Sequence, residues 1–313
     1  MEAPHDCAGV ARIRSACFPS WPVTAEEMAA AEARRLPERL HVPWVAVDGC
    51  SIVGYGYVEE PGVAAQPGRL RIRVLVDPER RRRGAGRALY DALFERALEA
   101  GATELVTEAR SDESDAHRFL LDRGFVEYHR RIENRLQLAA VYPAAVARAI
   151  DAHTDTFLAS GIRIATYRQL QLAHADAPRR LYDLDAVLWV DVPFGLSGSV
   201  PTFEQYQVME LADPDFLPAA TFVALDGDRW IGLGSLMSGP GFLMNSMTGV
   251  VREWRGRGLA RWLKLHTLRY ALERGAAEIR TFNDAVNDAI LALNRSFGFT
   301  VATVELRYRK ELE

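Results

Sequence analysis

Two short segments of the sequence combine arginine with closely spaced glycine or alanine, as a phosphate-binding loop requires. They are Val74-Leu-Val-Asp-Pro-Glu-Arg-Arg-Arg-Arg-Gly-Ala-Gly86 and Thr248-Gly-Val-Val-Arg-Glu-Trp-Arg-Gly-Arg-Gly-Leu-Ala260, and both contain Arg-x-x-Gly-x-Gly/Ala. Small residues let the backbone approach a ligand, and the N–H groups at the start of a following helix can bind phosphate oxygens. A tight turn alone would also use glycine, but the pattern occurs twice, between a strand and a helix each time. We therefore expect both segments to bind phosphate.

The residues around these segments repeat at a constant spacing. Arg81 and Arg255 are separated by 174 positions, as are Gly84 and Gly258. Further upstream the separation is 178 positions, for example between Asp48 and Asp226. The chain is therefore two copies of one plan. The second copy is four residues shorter between Asp226 and Arg255, most simply in a hairpin turn, where length changes are tolerated.

Each copy predicts the same order of elements around its loop. A capped helix is followed by a hairpin with an Asp-Gly turn, a further strand, the loop and a long amphipathic helix. A short strand, a short helix and two final strands complete the copy. The segments are the capping boxes Thr24-x-x-Glu27 and Thr202-x-x-Gln205, the hairpins 44–58 and 221–236, the strands 70–76 and 242–251, and the helices 85–100 and 259–274.

The two copies differ at their starts and are joined by an alanine-rich segment. Residues 161–166 predict a first strand in the second copy, whereas the first copy begins in a helix near Asp6. Residues 139–160, which contain Pro143, predict a connecting helix, and a C-terminal extension of the first domain is the alternative. The predicted organisation is an N-terminal domain at 1–138, the connecting segment at 139–160 and a C-terminal domain at 161–313.

The two loops, in this order of elements, resemble the GNAT acyltransferase superfamily, and the tandem arrangement is similar to that of mycothiol synthase and other two-domain bacterial members. Residues 281–287 and 293–299 add a resemblance to a subfamily of tandem members. The resemblance implies an α/β (mixed α+β) sheet in each of two tandem GNAT domains. It also implies acetyl-CoA as the cofactor, with its pyrophosphate on the loop and its pantetheine along the backbone of the preceding strand. In the superfamily that strand separates from the next one, often at a bulge.

On this resemblance the cofactor-binding residues of both copies can be assigned. In the second copy they are Val250, Val251, Arg255, Gly256, Arg257, Gly258, Leu259, Ala260, Asn287 and Asn294. In the first copy they are Val74, Val76, Arg81, Arg82, Arg83, Gly84, Ala85 and Gly86.

The resemblance also favours the second copy as the catalytic one. Members of the superfamily commonly place an asparagine at the start of the short helix and a tyrosine seven residues later, as the acid for the departing sulfur. The second copy has Asn287 and Asn294 at these positions, and the first has Glu113 and Leu120. Seven residues are two helical turns, so the two asparagines share one helix face, beside Asn283. Ordinary surface asparagines are the alternative. We expect the first copy to bind the cofactor without turnover.

The acid and the base are harder to assign than the asparagines. Asp191 and Glu204 are the base candidates of the second copy, although an acidic residue such as Glu204 is common at a helix N-terminus. Tyr308, on a final strand, is a possible acid, and alternation within a plain strand explains it equally. His266 is expected to pack in the core. In the first copy, Glu108 is the base candidate should that copy be the catalytic one.

The predicted function is acetyl-CoA-dependent N-acetylation of a primary amine on a small molecule. Direct attack of the amine is expected, because no cysteine lies near the catalytic region of the second copy. The alternatives are a non-catalytic acyl-CoA-binding or sensing protein, consistent with the missing tyrosine in both copies, and a protein N-acetyltransferase. The loop 191–201 is expected to influence acceptor choice.

Composition excludes several other classes of protein. The chain has 313 residues, of which 49% are hydrophobic and 26% are charged, as in a globular protein of about two domains. A net charge of −4 does not favour a nucleic-acid partner. The uncharged stretch 231–251 contains glycine and proline and predicts strands rather than a membrane span.

The N-terminal residues and the cysteines add expectations about location and ligands. The first residues show no basic segment before an apolar core, so a cytoplasmic location is expected. Cys7, Cys17 and Cys50 have neither the number nor the spacing of a disulfide framework or a zinc site. We expect all three to be small buried residues and expect no metal.

Overall fold

The computed structural model describes residues 5–62, 65–193, 195 and 200–312. The helices are α1 His5–Cys17, α2 Ala25–Ala33, α3 Ala85–Glu99, α4 Ser114–Leu121, α5 Pro143–Leu158, α6 Tyr167–Ala173, α7 Ala177–Trp189, α8 Phe203–Tyr206, α9 Leu259–Glu273 and α10 Asp288–Ser296. The strands are β1 His41–Asp48, β2 Ser51–Glu59, β3 Arg69–Val76, β4 Glu104–Arg110, β5 Val126–Gln137, β6 Ile162–Thr166, β7 Phe216–Asp226, β8 Arg229–Gly239, β9 Phe242–Val250, β10 Glu278–Asp284 and β11 Thr300–Glu311. The predicted mixed α/β fold is confirmed.

The chain divides into two compact units. Unit 1 comprises Met1–Arg130, Gly195–Ser199 and Glu305–Glu313, and unit 2 comprises Arg131–Phe194 and Val200–Val304. The last strand differs from its sequence assignment, since residues 305–311 of β11 pair with β4 and belong to unit 1. The limits of the two domains, 1–138 and 161–313, stay a prediction.

Unit 1 contains a mixed sheet with the order β1-β2-β3-β4 followed by residues 305–311 of β11. The pairs β1–β2, β2–β3 and β4–β11 are antiparallel, and β3–β4 is parallel. Helix α3 packs on β2 and β3. The core of unit 1 is formed by apolar side chains from these elements and by Phe125, which follows α4; the members include Val58, Leu70, Ile72, Leu93 and Leu105.

Unit 2 contains a mixed sheet with the order β6-β7-β8-β9-β10 followed by residues 131–137 of β5. All of these pairs are antiparallel except β9–β10, which is parallel. Helix α9 packs on β7, β8 and β9, and α5 packs on α9. Trp262 of α9 is fully buried, and its ring stacks on that of Phe157 at 4.9 Å. The long helix therefore fixes the position of the loop that precedes it.

Most of the local predictions are confirmed. Both capping boxes form, at Thr24 and Thr202, and the Asp-Gly turns connect β1 to β2 and β7 to β8. Gly101 and Gly275 follow the long helices with φ of +74° and +69°, in the left-handed region where glycine lacks the Cβ penalty. The shortening of the second copy lies in the hairpin turn, since β8 ends at Gly239 and β9 begins at Phe242, whereas β2 and β3 are nine residues apart.

Two expectations about the chain are wrong. Each copy ends in one long strand, β5 or β11, instead of two, because the twelve residues of each run on without a turn. Cys7 and Cys17 are buried, but Cys50 is exposed because it lies in the turn between β1 and β2.

None of the described helices is long and apolar enough to cross a membrane. No three histidine, cysteine or acidic side chains in the described part of the chain are grouped so that they could hold a metal ion.

Candidate functional site

Both predicted phosphate loops enter a long helix through a glycine in the left-handed region. Gly84 precedes α3 with φ +94°, and Gly258 precedes α9 with φ +89°. A Cβ at Gly84 would meet no atom within 4 Å, so the space beside the backbone is open. The first helical hydrogen bonds run from Ala88 to Gly84 and from Trp262 to Gly258. The three preceding N–H groups of each helix have no acceptor within the helix, and they fit phosphate oxygens.

A second left-handed position occurs two residues earlier in each loop. The residue is Gly256 in unit 2, with φ +73°, and Arg82 in unit 1, with φ +64°. Arginine in this conformation costs roughly 1–2 kcal/mol. Alternating backbone conformations of this kind turn successive N–H groups toward one point, which favours an anion.

The first arginine of each loop binds the strand that precedes it. Arg81 Nε donates to the carbonyl of Val76 at 3.3 Å, and Arg255 Nε donates to the carbonyl of Val250 at 2.9 Å. These guanidinium groups hold the loop against the end of β3 or β9. Arg81 and Arg255 therefore have a structural role in addition to their predicted one, which is to add positive charge for phosphates.

The strand before each loop separates from its parallel neighbour. β3 pairs with β4 only at residues 69–71, and β9 pairs with β10 only at Leu243 and Met244. Beyond these pairs, the backbone groups of β3 and β9 that face the gap are not used by the parallel ladder. This is the separation that the sequence resemblance predicts for a pantetheine-binding strand.

The two units differ at the point of separation. In unit 2 the β8–β9 register shifts so that Ser246 and Met247 both lie opposite Ser235, and the Met247 N–H donates to Ser235 Oγ at 3.1 Å. In unit 1 the β2–β3 register runs without a shift from Glu59 to Gly54. Bulges of this kind are common beside active sites, where they redirect backbone and side chains.

Unit 1 has a cleft of about 630 Å³ between its loop, β3, β4 and α4. Pockets of this size are typical of cofactor sites. Leu120 contributes apolar surface to the cleft, and the Glu113 carboxylate accepts a hydrogen bond from the Arg110 N–H at 3.1 Å. Glu108 also lines the cleft, where it pairs with Arg73. Seven of the residues predicted to bind cofactor in the first copy line this cleft, namely Val74, Val76, Arg81, Arg82, Gly84, Ala85 and Gly86.

Two of the predicted asparagines of unit 2, Asn283 and Asn294, are hydrogen-bonded to each other, and Asn287 lies at the start of α10. Asn294 is fully buried, and its Nδ2 donates to Asn283 Oδ1 at 2.6 Å. Its Oδ1 has no hydrogen-bond partner among the described residues. Asn287 caps α10, since its Oδ1 accepts from the Ile290 N–H at 3.3 Å. Asn294 is therefore a core residue rather than a surface one, and it fixes the Asn283 side chain at the end of β10.

The two loops and the two separated strands lie within regions that match one protein-family model. The family model described as "Acetyltransferase (GNAT) family" matches residues 8–125 and 184–299. The chain belongs to the GNAT acetyltransferase family. The family is an acetyltransferase family, and the two matched regions confirm the predicted tandem of GNAT domains.

Several curated relatives of this GNAT protein are similar over most of its length. A "Mycothiol acetyltransferase" of Clavibacter michiganensis subsp. michiganensis is 29% identical over 250 residues, which is 78% of this chain and 73% of the relative. One of Thermobifida fusca is 27% identical over 283 residues, 86% of this chain and 82% of the relative. The predicted resemblance to mycothiol synthase is confirmed.

Solved structures show the same fold. A GCN5-related N-acetyltransferase from Sphaerobacter thermophilus has a TM-score of 0.70 at 21% identity and covers 99% of this chain and 94% of its own. A tandem GNAT protein from the clavulanic acid biosynthesis pathway has a TM-score of 0.73 at 20% identity, covering 99% and 97%.

Asp191 of this GNAT protein lies beside the predicted phosphate loop of unit 2. Its carboxylate accepts from Arg252 Nε at 3.0 Å and from Arg255 at 2.5 Å. Hydrogen bonds from Arg252 and then Arg255 lower the pKa of Asp191 to about 2. Such a carboxylate does not readily take up a proton near neutral pH, so Asp191 is better suited to positioning Arg255 than to general-base catalysis. Part of the predicted acceptor loop, at 194 and 196–199, lies outside the described residues.

The structure places Tyr308 in unit 1, whereas it was predicted as an acid of the second copy. The reason is that β11 continues past Val304 and pairs with β4. The Tyr308 hydroxyl is 2.8 Å from His117 Nδ1, and burial raises the pKa of Tyr308.

His266 packs in the core, and Glu204 lies at a helix N-terminus, where acidic residues are common. The His266 ring packs 5.4 Å from that of Phe222 and 5.7 Å from that of Trp262, and burial lowers the pKa of His266 to about 4. Glu204 is exposed in the first turn of α8. Hydrogen bonds to its own backbone N–H and to Thr202 lower the pKa of Glu204.

Two carboxylates that the sequence analysis did not single out lie beside the bulge of β9. Asp185 of α7 and Glu210 line a cavity of about 20 Å³ together with Tyr206, Ser235 and Met247. Asp185 is only 6% exposed. Glu210 lies in a π-helical turn, Gln207–Leu211, that follows α8, and π-helical turns occur frequently at functional sites.

A sequence signal for Asp185 existed. Leu181, Leu184, Asp185 and Leu188 have the spacing of one apolar helix face, and all four are buried. An acidic residue on such a face is rare unless it is paired or used chemically. Glu210 gave no comparable signal, because the π-helical turn that directs it inward is not encoded by a simple pattern.

Proposed function

We propose that this chain transfers the acetyl group of acetyl-CoA to a primary amine of a small molecule, that the amine attacks directly, and that unit 2 performs the transfer. The observation that carries the proposal is the course of β9. This one strand pairs with β10 at Leu243 and Met244, bulges at Ser246 and Met247, and runs into the loop that begins α9. It therefore joins the candidate phosphate site to the cavity with two carboxylates.

The relatives support this choice of reaction. Those named "Mycothiol acetyltransferase" are similar over most of this chain, and that name describes acetyl transfer to a small molecule. The cavity beside β9 accommodates a group about the size of one water molecule, such as the amino group of an acceptor.

The residues that would hold acetyl-CoA in unit 2 follow from the loop. Gly256 and Gly258 leave space for phosphate, and the N–H groups of Leu259 and Ala260 lie in the first turn of α9. Val250 ends β9, and Val251 follows it. Acetyl-CoA would supply the acetyl group as an activated thioester. These residues bind and orient it, and Asn283, held by Asn294, adds a polar group at the end of β10.

The transfer balances without a further reactant. The acceptor nitrogen gives up one proton before attack, its lone pair forms the C–N bond, and the C–S bond breaks with its electron pair on sulfur. The nitrogen then loses a second proton, and the sulfur takes up one proton as the thiol. Since the described residues contain no cysteine within unit 2, no thiol of that unit offers an acyl relay.

Unit 1 is proposed to bind acetyl-CoA without transferring it. Its cleft is lined by Arg81, Arg82 and residues 84–86 of the loop, but Leu120 offers no hydrogen bond and β3 lacks the register shift of β9. The asymmetry predicts two binding sites and one transferring site.

The proposed function can be tested with purified protein, acetyl-CoA and a panel of small primary amines, with secondary amines and peptides as comparison acceptors. Free thiol and acetylated amine should form in equal amounts with at least one small primary amine. Acetylation of peptides alone would indicate a protein N-acetyltransferase. Tight binding of acetyl-CoA with no thiol release from any acceptor would indicate a binding protein and contradict the proposal.

Direct transfer has its own test. Protein incubated with acetyl-CoA alone should carry no acetyl group that subsequently moves to the amine. Isolation of such an acyl-enzyme, competent to acetylate the amine after removal of acetyl-CoA, would contradict direct attack.

A further inference from the structure

The cavity beside the β9 bulge combines two carboxylates with no cation to balance them. Asp185 and Glu210 both line it, and among the residues that the structure describes neither forms an ion pair with a lysine, arginine or histidine. This contrasts with Asp191, which is held by two arginines in the same unit. Buried carboxylates are normally paired, because desolvation of an isolated charge is costly.

Asp185 also carries an unused hydrogen-bond acceptor. The residue is 6% exposed, and its Oδ1 has no hydrogen-bond partner among the described residues. An orphaned acceptor in a buried site is uncommon and calls for a donor. The cavity of about 20 Å³ is large enough for one group the size of a water molecule or an ammonium group.

The surroundings of the two carboxylates raise the pKa of both. Burial raises the pKa of Asp185 to about 6, against hydrogen bonds from Trp189 and Tyr206 that lower it. Burial, and then the charges of Asp185 and Asp213, raise the pKa of Glu210 to about 7. Tyr206 lines the cavity with these two carboxylates, and burial raises the pKa of Tyr206 and of the neighbouring Tyr167.

We infer that this cavity is the subsite for the protonated amino group of the acceptor, with Asp185 as its anchor and Glu210 as the residue that removes its proton. The inference rests on the proposed function and names the substrate class as cationic primary amines. Met247, at the bulge, also lines the cavity, so the amino group is held next to the strand proposed to carry the thioester.

This assignment specifies where the proton of the ammonium group goes. The ammonium group donates hydrogen bonds to Asp185 and Glu210, and one N–H bond breaks with its electron pair left on nitrogen. The Glu210 carboxylate takes that proton and later passes it to solvent. A carboxylate that titrates near neutral pH is well matched to this task. The rate at low amine concentration should therefore rise with pH as Glu210 ionises.

One test does not depend on turnover. The Glu210 carboxyl resonance, identified by its loss in Glu210→Gln, is followed by NMR through a pH titration with methylammonium chloride and with an equal concentration of sodium chloride. A bound cation should lower the Glu210 pKa relative to sodium chloride, and Asp185→Asn should reduce the difference. Identical titrations in the two salts would overturn the inference, whether or not the chain acetylates any amine.

A second test uses an amine that the wild-type chain acetylates. Asp185→Asn and Glu210→Gln should each raise the KM for the amine by at least about ten-fold, the loss expected for a charge-assisted hydrogen bond, with the KM for acetyl-CoA unchanged. Glu210→Gln should also lose the rise of rate with pH. Asp183→Asn is the matched control, since Asp183 lies on the same helix, exposed and paired with Arg179.

The outcomes separate the two proposals. A wild-type chain that acetylates amines while both variants keep their amine KM and pH profile would overturn this subsite and leave the proposed function intact. A wild-type chain that acetylates nothing would contradict the proposed function, and the NMR titration would still decide whether the cavity binds an ammonium ion.

Discussion

Substitution of Gly84 separates the contribution of charge at the unit 1 loop from that of backbone conformation. Gly84 has φ +94°, and a Cβ there would meet no atom within 4 Å. Gly84→Ala therefore introduces only the backbone cost of a side chain in the left-handed region, about 1 kcal/mol. Gly84→Asp introduces the same backbone cost and adds a carboxylate at the start of α3, where phosphate is expected.

The expected magnitude follows from the bonds at risk. Charge-assisted hydrogen bonds contribute roughly 1.5–3 kcal/mol each. Disruption of two of them by Gly84→Asp should weaken coenzyme A binding by at least about a hundred-fold. Gly84→Ala should weaken it by no more than about ten-fold, because the helix N–H groups remain available.

Isothermal titration calorimetry with coenzyme A measures this difference. The titrations are made in chains that also carry Gly258→Asp, so that only the unit 1 site contributes heat. Circular dichroism checks that each variant is folded. If Gly84→Asp binds coenzyme A as tightly as the chain that keeps Gly84, the loop does not hold phosphate. Equal loss in both variants would mean that backbone strain, and not charge, determines binding.

Three further predictions concern single side chains. Burial lowers the pKa of Lys264 to about 7 from an ordinary 10.5. Between about pH 7 and pH 10.5 the unfolded chain therefore keeps a proton on Lys264 that the folded chain has released. Below about pH 7 the lowered pKa of Lys264 reduces the free energy of unfolding by up to about 5 kcal/mol, and the loss disappears as the pH rises toward 10.5. Lys264→Met should raise the free energy of unfolding at neutral pH by roughly 1–4 kcal/mol and flatten its rise with pH, as measured by urea denaturation; an unchanged midpoint would contradict this. Tyr308→Phe removes the contact with His117 and should cost about 1 kcal/mol of stability without changing turnover, so loss of turnover would return Tyr308 to the catalytic candidates. Asn294→Ala should reduce turnover by roughly ten- to a hundred-fold while calorimetry shows unchanged binding at unit 1, and unaltered kcat would remove Asn294 from the site.

Local sequence patterns predict much of the fold because they act over a few residues. The capping boxes at Thr24 and Thr202, the Asp-Gly turns and the glycines that end the long helices all form as predicted. The internal repeat also locates both loops correctly. Each of these features is a local choice of backbone conformation that side chains within four or five positions determine.

Contacts between distant segments are less accessible from the sequence. The pairing of β11 with β4 assigns Tyr308 to unit 1, and alternation of residues within β11 gives no information about its partner strand. The salt bridges that hold Asp191 join residues about sixty positions apart. Glu210 faces the cavity because of a π-helical turn, which the sequence pattern does not predict. Asp185 is the exception, since its place on an apolar helix face could be found from spacing alone.

The central claim is that unit 2 transfers the acetyl group while unit 1 only binds acetyl-CoA. It is tested most directly by the rate of formation of labelled amide from acetyl-CoA labelled in its acetyl group, with one accepted amine and three proteins: wild type, Gly84→Asp and Gly258→Asp. A Cβ at Gly258 approaches only Phe157, at 3.9 Å, so Gly258→Asp is expected to fold. We expect wild type and Gly84→Asp to form the amide at similar rates and Gly258→Asp to form almost none. Retained activity in Gly258→Asp together with its loss in Gly84→Asp would contradict this assignment and make unit 1 the catalytic half.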